Sequence, residues 1–200
     1  MILALESSGL VASTAILSDD KLIAEYTTNL KKTHSQTLLQ MMDQCLQMTG
    51  TELSQIDAIA VSGGPGSFTG LRIGSSTAKG LGLALNIPII SVPTTEGIAW
   101  NLFGTDRLIC PLMDARRHQT YTAIYAFEDG RLTCLSEQKA VPVEEILNEI
   151  NELGREVIFL GDGVPVFKKD IEEKVRVEYQ LAPPHMSEQR AGALAWAASW

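Results

Sequence analysis

Cysteine is scarce in this chain. Cys45, Cys110 and Cys134 are odd in number, far apart, and form no C-x-x-C pair. That excludes a disulfide framework, argues against a structural zinc site, and fits a reducing compartment. Positive charge is also short: 16 Lys and Arg stand against 24 Asp and Glu, a formal net charge of −8. No basic field exists for autonomous nucleic-acid binding, so any such role would run through a partner. No apolar run reaches membrane-spanning length. Met1 to Leu5 enters an apolar strand with no basic region or cleavage site, so no secretory leader is expected and the cytoplasm is the expected location. The three histidines, His34, His118 and His185, are scattered, and the residue four after His34 is Leu38, so no helical H-x-x-x-H metal pair exists. No G-x-S-x-G elbow accompanies the serines, which removes a Ser-His-Asp reading.

What is present suffices for a large core. Apolar residues make up 45% of 200, as expected for one large or two small domains. The organising stretch is Val61-Ser62-Gly63-Gly64-Pro65-Gly66-Ser67-Phe68-Thr69-Gly70-Leu71-Arg72-Ile73-Gly74. It follows a buried strand over 56–61 and leads into a helix over 71–85, with Ser67 or Thr69 placed to cap the helix start. A strand, a glycine-rich turn and a helix N-terminus form the frame of many phosphate sites. The P-loop pattern is absent, and G-x-G-x-x-G fails because Thr69 stands at the last place with Gly70 one residue late. Pro65 removes one N–H from any cradle. Two readings therefore stand: a phosphate loop, or a tight turn whose glycines answer to sterics alone.

In chain order, strands are predicted over 2–6, 13–17 and 22–27, a helix over 34–48, the strand and helix just described, a strand over 87–92, and a helix from Thr94 or Thr95 through Phe103. Gly104 to Arg107 is a polar break. Strands over 108–113, 120–127 and 132–136, a helix over 143–153, a strand over 156–160, a helix over 166–175, a strand over 177–181 and an Ala-rich helix from Ser187 follow. The same order thus occurs twice, in lobes 1–104 and 105–200. This duplication resembles the two-lobed α/β architecture of actin, heat-shock chaperones and sugar kinases (ASKHA), with two ribonuclease-H-like lobes. In such folds Glu6, Ser7 and Ser8 stand at the phosphate-binding hairpin, and Gly161-Asp162-Gly163 at the matching place in the second lobe. Asp114 is the one further acidic candidate for a cleft of that kind, and the preferred reading for it is the anchor of a loop holding Arg116 and Arg117.

Two helices have unusual faces. Around Leu38, at about 100° per residue, Leu39, Met41, Met42, Cys45, Leu46 and Met48 fill about half the cylinder, wider than one sheet requires. Deep burial and a partner contact are equally open readings of that arc. In the next helix Gly74, Ala78 and Gly82 recur every fourth residue, and helical glycines cost roughly 1 kcal/mol each against alanine, so a close approach is expected on that side.

Ile2-Leu3-Ala4-Leu5-Glu6-Ser7-Ser8, His34-Ser35-Gln36, the Gly63–Gly74 block, Ala78-Lys79-Gly80-Leu81 and Met113-Asp114-Ala115-Arg116-Arg117 together resemble the bacterial TsaB (YeaZ) family across essentially the whole chain. The resemblance implies a non-catalytic subunit of the machinery that places threonylcarbamoyl on the adenosine beside the anticodon of tRNAs reading ANN codons. It implies pairing with the related TsaD subunit, with TsaE in a larger complex, a homodimer when alone, tRNA reached only through the complex, and no membrane. The family's pairing helices map onto His34, Leu38, Leu39, Met41, Met42, Cys45, Leu46, Gly74, Ala78 and Gly82. Glu6, Ser7, Ser8, Gly64, Gly66, Ser67, Gly161 and Gly163 map onto vestigial phosphate loops. No catalytic residue, metal or cofactor is expected in this subunit, with ATP or ADP confined to the complex interface. TsaD-type sequences carry two helix histidines for metal, where this chain keeps His34 alone, and Glu6 stands where relatives usually have Asp. A free-standing ATP-binding enzyme is the alternative, and a metallopeptidase, after the family's old glycoprotease label, a weaker third.

Overall fold

The computed structural model describes residues 1–30 and 34–200, with the backbone alone at His34. Each half begins with a meander because alternating apolar strands are broken by polar turns: Asp19-Asp20 between the second and third strands, Asp129-Gly130 in the second half. The first half runs β1 (Ile2–Glu6), β2 (Ala12–Ser18), β3 (Lys21–Thr28), α1 (His34–Thr49), β4 (Ala58–Ser62), α2 (Phe68–Leu85), β5 (Ile89–Val92) and α3 (Thr94–Ala99). The second runs β6 (Leu108–Asp114), β7 (Gln119–Glu128), β8 (Arg131–Pro142), α4 (Val143–Leu153), β9 (Val157–Leu160), α5 (Val164–Lys174), β10 (Tyr179–Leu181), α6 (Pro184–Ser187) and α7 (Ala191–Ala197).

The two five-stranded sheets share one topology. The first is ordered β3-β2-β1-β4-β5 and the second β8-β7-β6-β9-β10. In each, the meander is antiparallel, and the fourth strand lies parallel to the first and to the fifth. Parallel neighbours need helical crossovers, and α1, α2, α4 and α5 supply them.

The division into units differs from the polar break at 104–107. One compact unit comprises residues 1–97 and 189–200, the other residues 98–188. Ile98, Ala99 and Leu102 pack with Ile109, Met113, Ile158 and Leu160 of the second sheet, which draws the boundary forward. The chain end returns to the first unit because α7 is stitched to it. Ala191 N donates to Ser13 Oγ at 3.0 Å and Gly192 N to Glu25 Oε1 at 2.9 Å, and Arg190 pairs with Glu25. The Ala-rich helix expected from Ser187 starts only at Ala191, as α7; the short α6 ends at Ser187, and Glu188 and Arg190 are extended between the two.

The first unit's main core joins Leu3, Leu5, Ile16, Ile59 and Val61 of the sheet to Leu38, Met42, Cys45 and Leu46 of α1 and Ala78 of α2. In the second unit, Leu108, Cys110 and Leu112 face α4 and α5, while Ile109 and Met113 face the other way, the period of two expected of a sheet covered on both sides. Strand β8 extends to Pro142, well past the expected 132–136, because no Gly or Pro interrupts it earlier and the ten residues of β7 offer a continuous partner.

Candidate functional site

Glu6 ends β1, and its carboxylate is 3% exposed. The turn that follows folds back on it: Ser8 N and Ser8 Oγ each donate to Glu6 Oε1 at 2.6 Å, and Ser62 Oγ donates to Oε2. Ser7 Oγ donates to Gly70 O at 2.9 Å. The glycine-rich loop closes over this hairpin, with Ser67 N donating to Ser8 O at 2.6 Å and Gly63 N to Val92 O at 2.8 Å. Ser67 caps α2, its Oγ accepting from Gly70 N at 3.2 Å. A side chain at Gly66, where φ is +156°, would drive a Cβ into the Ser8 carbonyl. Glu6, Ser7, Ser8, Gly66 and Ser67 are thus brought together, with Gly64 beside them holding Thr94 N through its carbonyl at 2.8 Å. The Gly63 and Ser67 donors that a phosphate would use are engaged by the chain itself.

The second unit repeats the device. Gly161 and Gly163 press on the Leu112 backbone of β6, and Gly163 N donates to Leu112 O at 2.9 Å. Asp162, between them, accepts from Asp114 N at 3.4 Å. Asp114 in turn anchors the following loop, accepting from Arg116 N at 2.8 Å and pairing with its guanidinium at 3.1 Å. Burial, with the Asp114 charge adding to it, holds the Asp162 carboxyl above the ordinary carboxylate range, and burial with Asp162 nearby does the same to Glu188. A raised native pKa means the folded chain keeps a proton that the unfolded chain has released, so stability falls as pH climbs from the ordinary carboxylate pKa to the native one. Asp162→Asn keeps the acceptor and removes the charge. It should be more stable than the wild type at about pH 7 and lose that advantage at about pH 3, read by thermal unfolding at both.

His118 Nε2 lies 3.3 Å from Asp170 Oδ1 and its ring meets Phe167 edge-on. Among the described residues no group of three or more His, Cys, Asp and Glu could hold a metal ion, and the side chain of His34 lies outside the described residues. The Cys110 thiol, wholly buried, is pushed up to about 12 by desolvation, whereas Cys134 is exposed. No helix among the described residues is long and apolar enough to cross a membrane.

Most of the pairing residues expected on the two helices lie inside the first unit. Leu38, Met41, Met42, Cys45 and Leu46 are all under 9% exposed within the first unit. The wide arc of α1 is spent against β2 and β3, and only Leu39 and Met48, on opposite flanks of it, remain exposed. Gly74, Ala78 and Gly82 also turn inward. A Cβ at Gly74 would strike Ser7 Oγ, and one at Gly82 would lie 2.9 Å from Ile89. The outward side of α2 is instead Ser76, Gly80 and Leu83. Among the described residues, a Cβ at Gly80 would meet nothing within 4 Å beyond its own helix, and Leu83 is 86% exposed. Sequence reasoning also missed Gln189, 1% exposed against Gly9, neither of whose amide atoms has a hydrogen-bond partner among the described residues; its distance from Gly9 in the chain gave no signal.

Comparison with known proteins gives a consistent set. A family model described as TsaD, tRNA N6-adenosine threonylcarbamoyltransferase, matches residues 21–199. The tRNA threonylcarbamoyladenosine biosynthesis protein TsaB of Bacillus subtilis is 38% identical over 172 residues, spanning 86% of this chain and 75% of that protein. Its Escherichia coli namesake is 34% identical over 166 residues, spanning 81% and 71%. Among solved structures, an uncharacterized Pseudomonas aeruginosa protein with similarity to peptidase YEAZ superposes with a TM-score of 0.84 at 25% identity, covering 99% of this chain and 89% of that one. The ROK hexokinase of Thermus thermophilus, at 11% identity with a TM-score of 0.53 over 99% and 98%, shares the fold alone, which is of the ASKHA type.

Proposed function

Because the chain belongs to the TsaB family of tRNA threonylcarbamoyladenosine biosynthesis proteins, we propose that it is the non-catalytic scaffold of that machinery, pairing with TsaD through the outward face of α2. In this reading TsaD carries the transfer chemistry, TsaE joins the larger complex, and tRNA is reached only through the assembly, in the cytoplasm. The subunit brings no metal or cofactor of its own, and ATP or ADP would sit at the interface with TsaD.

The observation that carries the proposal is Gly80. A glycine within a helix costs roughly 1 kcal/mol against alanine, and at Gly74 and Gly82 internal neighbours account for it. Among the described residues of the first unit, nothing accounts for it at Gly80. A helix backbone arriving from outside would, with the exposed Leu83 as its apolar anchor. The engagement of Glu6 by Ser8 and Ser62 supports a structural rather than catalytic role for the β1 hairpin.

Size-exclusion chromatography with light scattering, on the chain alone and mixed with TsaD, tests the reading. The expected result is a homodimer that gives way to a 1:1 heterodimer. A monomer indifferent to TsaD would overturn it.

A further inference from the structure

Beside α2, on the flank next to edge strand β5, a groove of about 340 Å³ remains that pairing through Gly80 and Leu83 does not use. Its walls are Phe68, Leu71, Arg72 and Lys79 of α2, and Ile89 and Ser91 of β5. From Ala58 to Thr95 the chain contains no Asp or Glu until Glu96, and Arg72 and Lys79 are the only charges. Among the described residues neither cation has a carboxylate partner. Two unneutralised cations in one groove are conspicuous in a chain of net charge −8, where a carboxylate is usually at hand. The Arg72 guanidinium also lies 4.2 Å from the centre of the Phe68 ring, and that ring is 70% exposed. An exposed ring carrying an arginine, an apolar floor of Leu71 and Ile89, and a second cation two helical turns on match what a nucleotide requires: a stacking surface, a dry wall and countercharge for phosphate.

We propose that this groove takes one nucleotide of the tRNA held by the complex, its phosphate against Arg72 and Lys79 and its base or ribose against Phe68, Leu71 and Ile89. The inference rests on the scaffold reading and adds to it a direct contact between this subunit and RNA. An RNA strand is favoured over a free nucleotide because the ring and the guanidinium face open solvent at a sheet edge. The neighbouring loop donors at Gly63 and Ser67, which could enclose a polyphosphate, are already engaged.

The test uses the assembled complex with TsaD and fluorescence anisotropy on labelled tRNA over a series of salt concentrations. Arg72 and Lys79 are both exposed, so the R72A/K79A double variant should fold and still pair with TsaD. It should bind tRNA about tenfold more weakly, with the slope of log affinity against log salt reduced by about one to two. Phe68→Ala should weaken binding by about tenfold with the slope unchanged, since stacking releases no counterions. An unchanged slope and affinity in the double variant would overturn the proposal. So would loss of pairing by that variant, which would make the groove a protein contact. So would AMP saturating the isolated wild-type chain but not the double variant, which would assign the groove to a free nucleotide. If the wild-type chain itself fails to pair with TsaD, the scaffold reading falls and this inference with it; pairing with an unaltered salt slope sinks the groove alone.

Discussion

Gly80→Trp should abolish pairing with TsaD while leaving the isolated chain at least as stable as the wild type. The indole would project into space where, beyond the helix's own backbone, no atom of the described residues lies within 4 Å of the Cβ, so none of them is displaced at that point. Replacing a helical glycine adds intrinsic helix propensity, worth a few tenths of a kcal/mol. Against a partner helix the same side chain would hold the backbones apart by several ångströms and forfeit the contact. Leu83→Glu should act in the same direction by placing a charge where an apolar anchor is expected, at a residue already 86% exposed. Ala78→Trp is no substitute: Ala78 is fully buried among the sheet-facing residues, and overpacking there would unfold the unit and imitate a lost interface. Light scattering on the mixture, paired with a thermal melt of the variant alone, reads both halves of the expectation. A Gly80→Trp chain that melts normally and still forms the heterodimer removes α2 from the interface.

The contrast between Gly80 and its neighbours shows what the sequence carries and what it withholds. Strands were legible because β1, β4, β6 and β9 are unbroken apolar runs set between turn residues, and the repeat of that order disclosed two sheets of one topology. Helix α4 was legible to the residue because Pro142 fixes its start and Gly154, in a left-handed conformation, its end. What a helical glycine faces was not legible. Gly74, Gly80 and Gly82 are alike in sequence, and only the positions of Ser7 and Ile89 in space separate the two that the fold requires from the one it does not. The same holds for α1. A half-cylinder of Leu, Met and Cys is consistent with one deep core or with two contacts, and the decision lies in how β2 and β3 receive it. The return of α7 to the first unit depends on Glu25 and Ser13, some 165 and 178 residues distant in the chain from their partners, beyond any local pattern.

The β1 hairpin is where the scaffold and enzyme readings part, and two substitutions there should be among the most destabilising in the chain. Glu6→Ala would leave Ser8 N, Ser8 Oγ and Ser62 Oγ without their acceptor in a fully buried site, costing about 2–4 kcal/mol. Gly66→Ala would force a methyl group into the Ser8 carbonyl at a positive φ, and overpacking against backbone, which cannot move aside as a side chain can, costs about 3 kcal/mol. Urea unfolding should show both losses as lowered midpoints with unchanged slopes. In the scaffold reading those losses are the whole phenotype: at a temperature where either variant remains folded, the assembled complex should modify tRNA at the wild-type rate. An ATP-binding enzyme makes the opposite demand, because there the Glu6 carboxylate and the loop over it would touch the reacting phosphates, and a folded, assembled Glu6→Ala complex would be inactive. Because the carboxylate is already fully engaged by two serines of its own chain, the first outcome is the one the geometry supports.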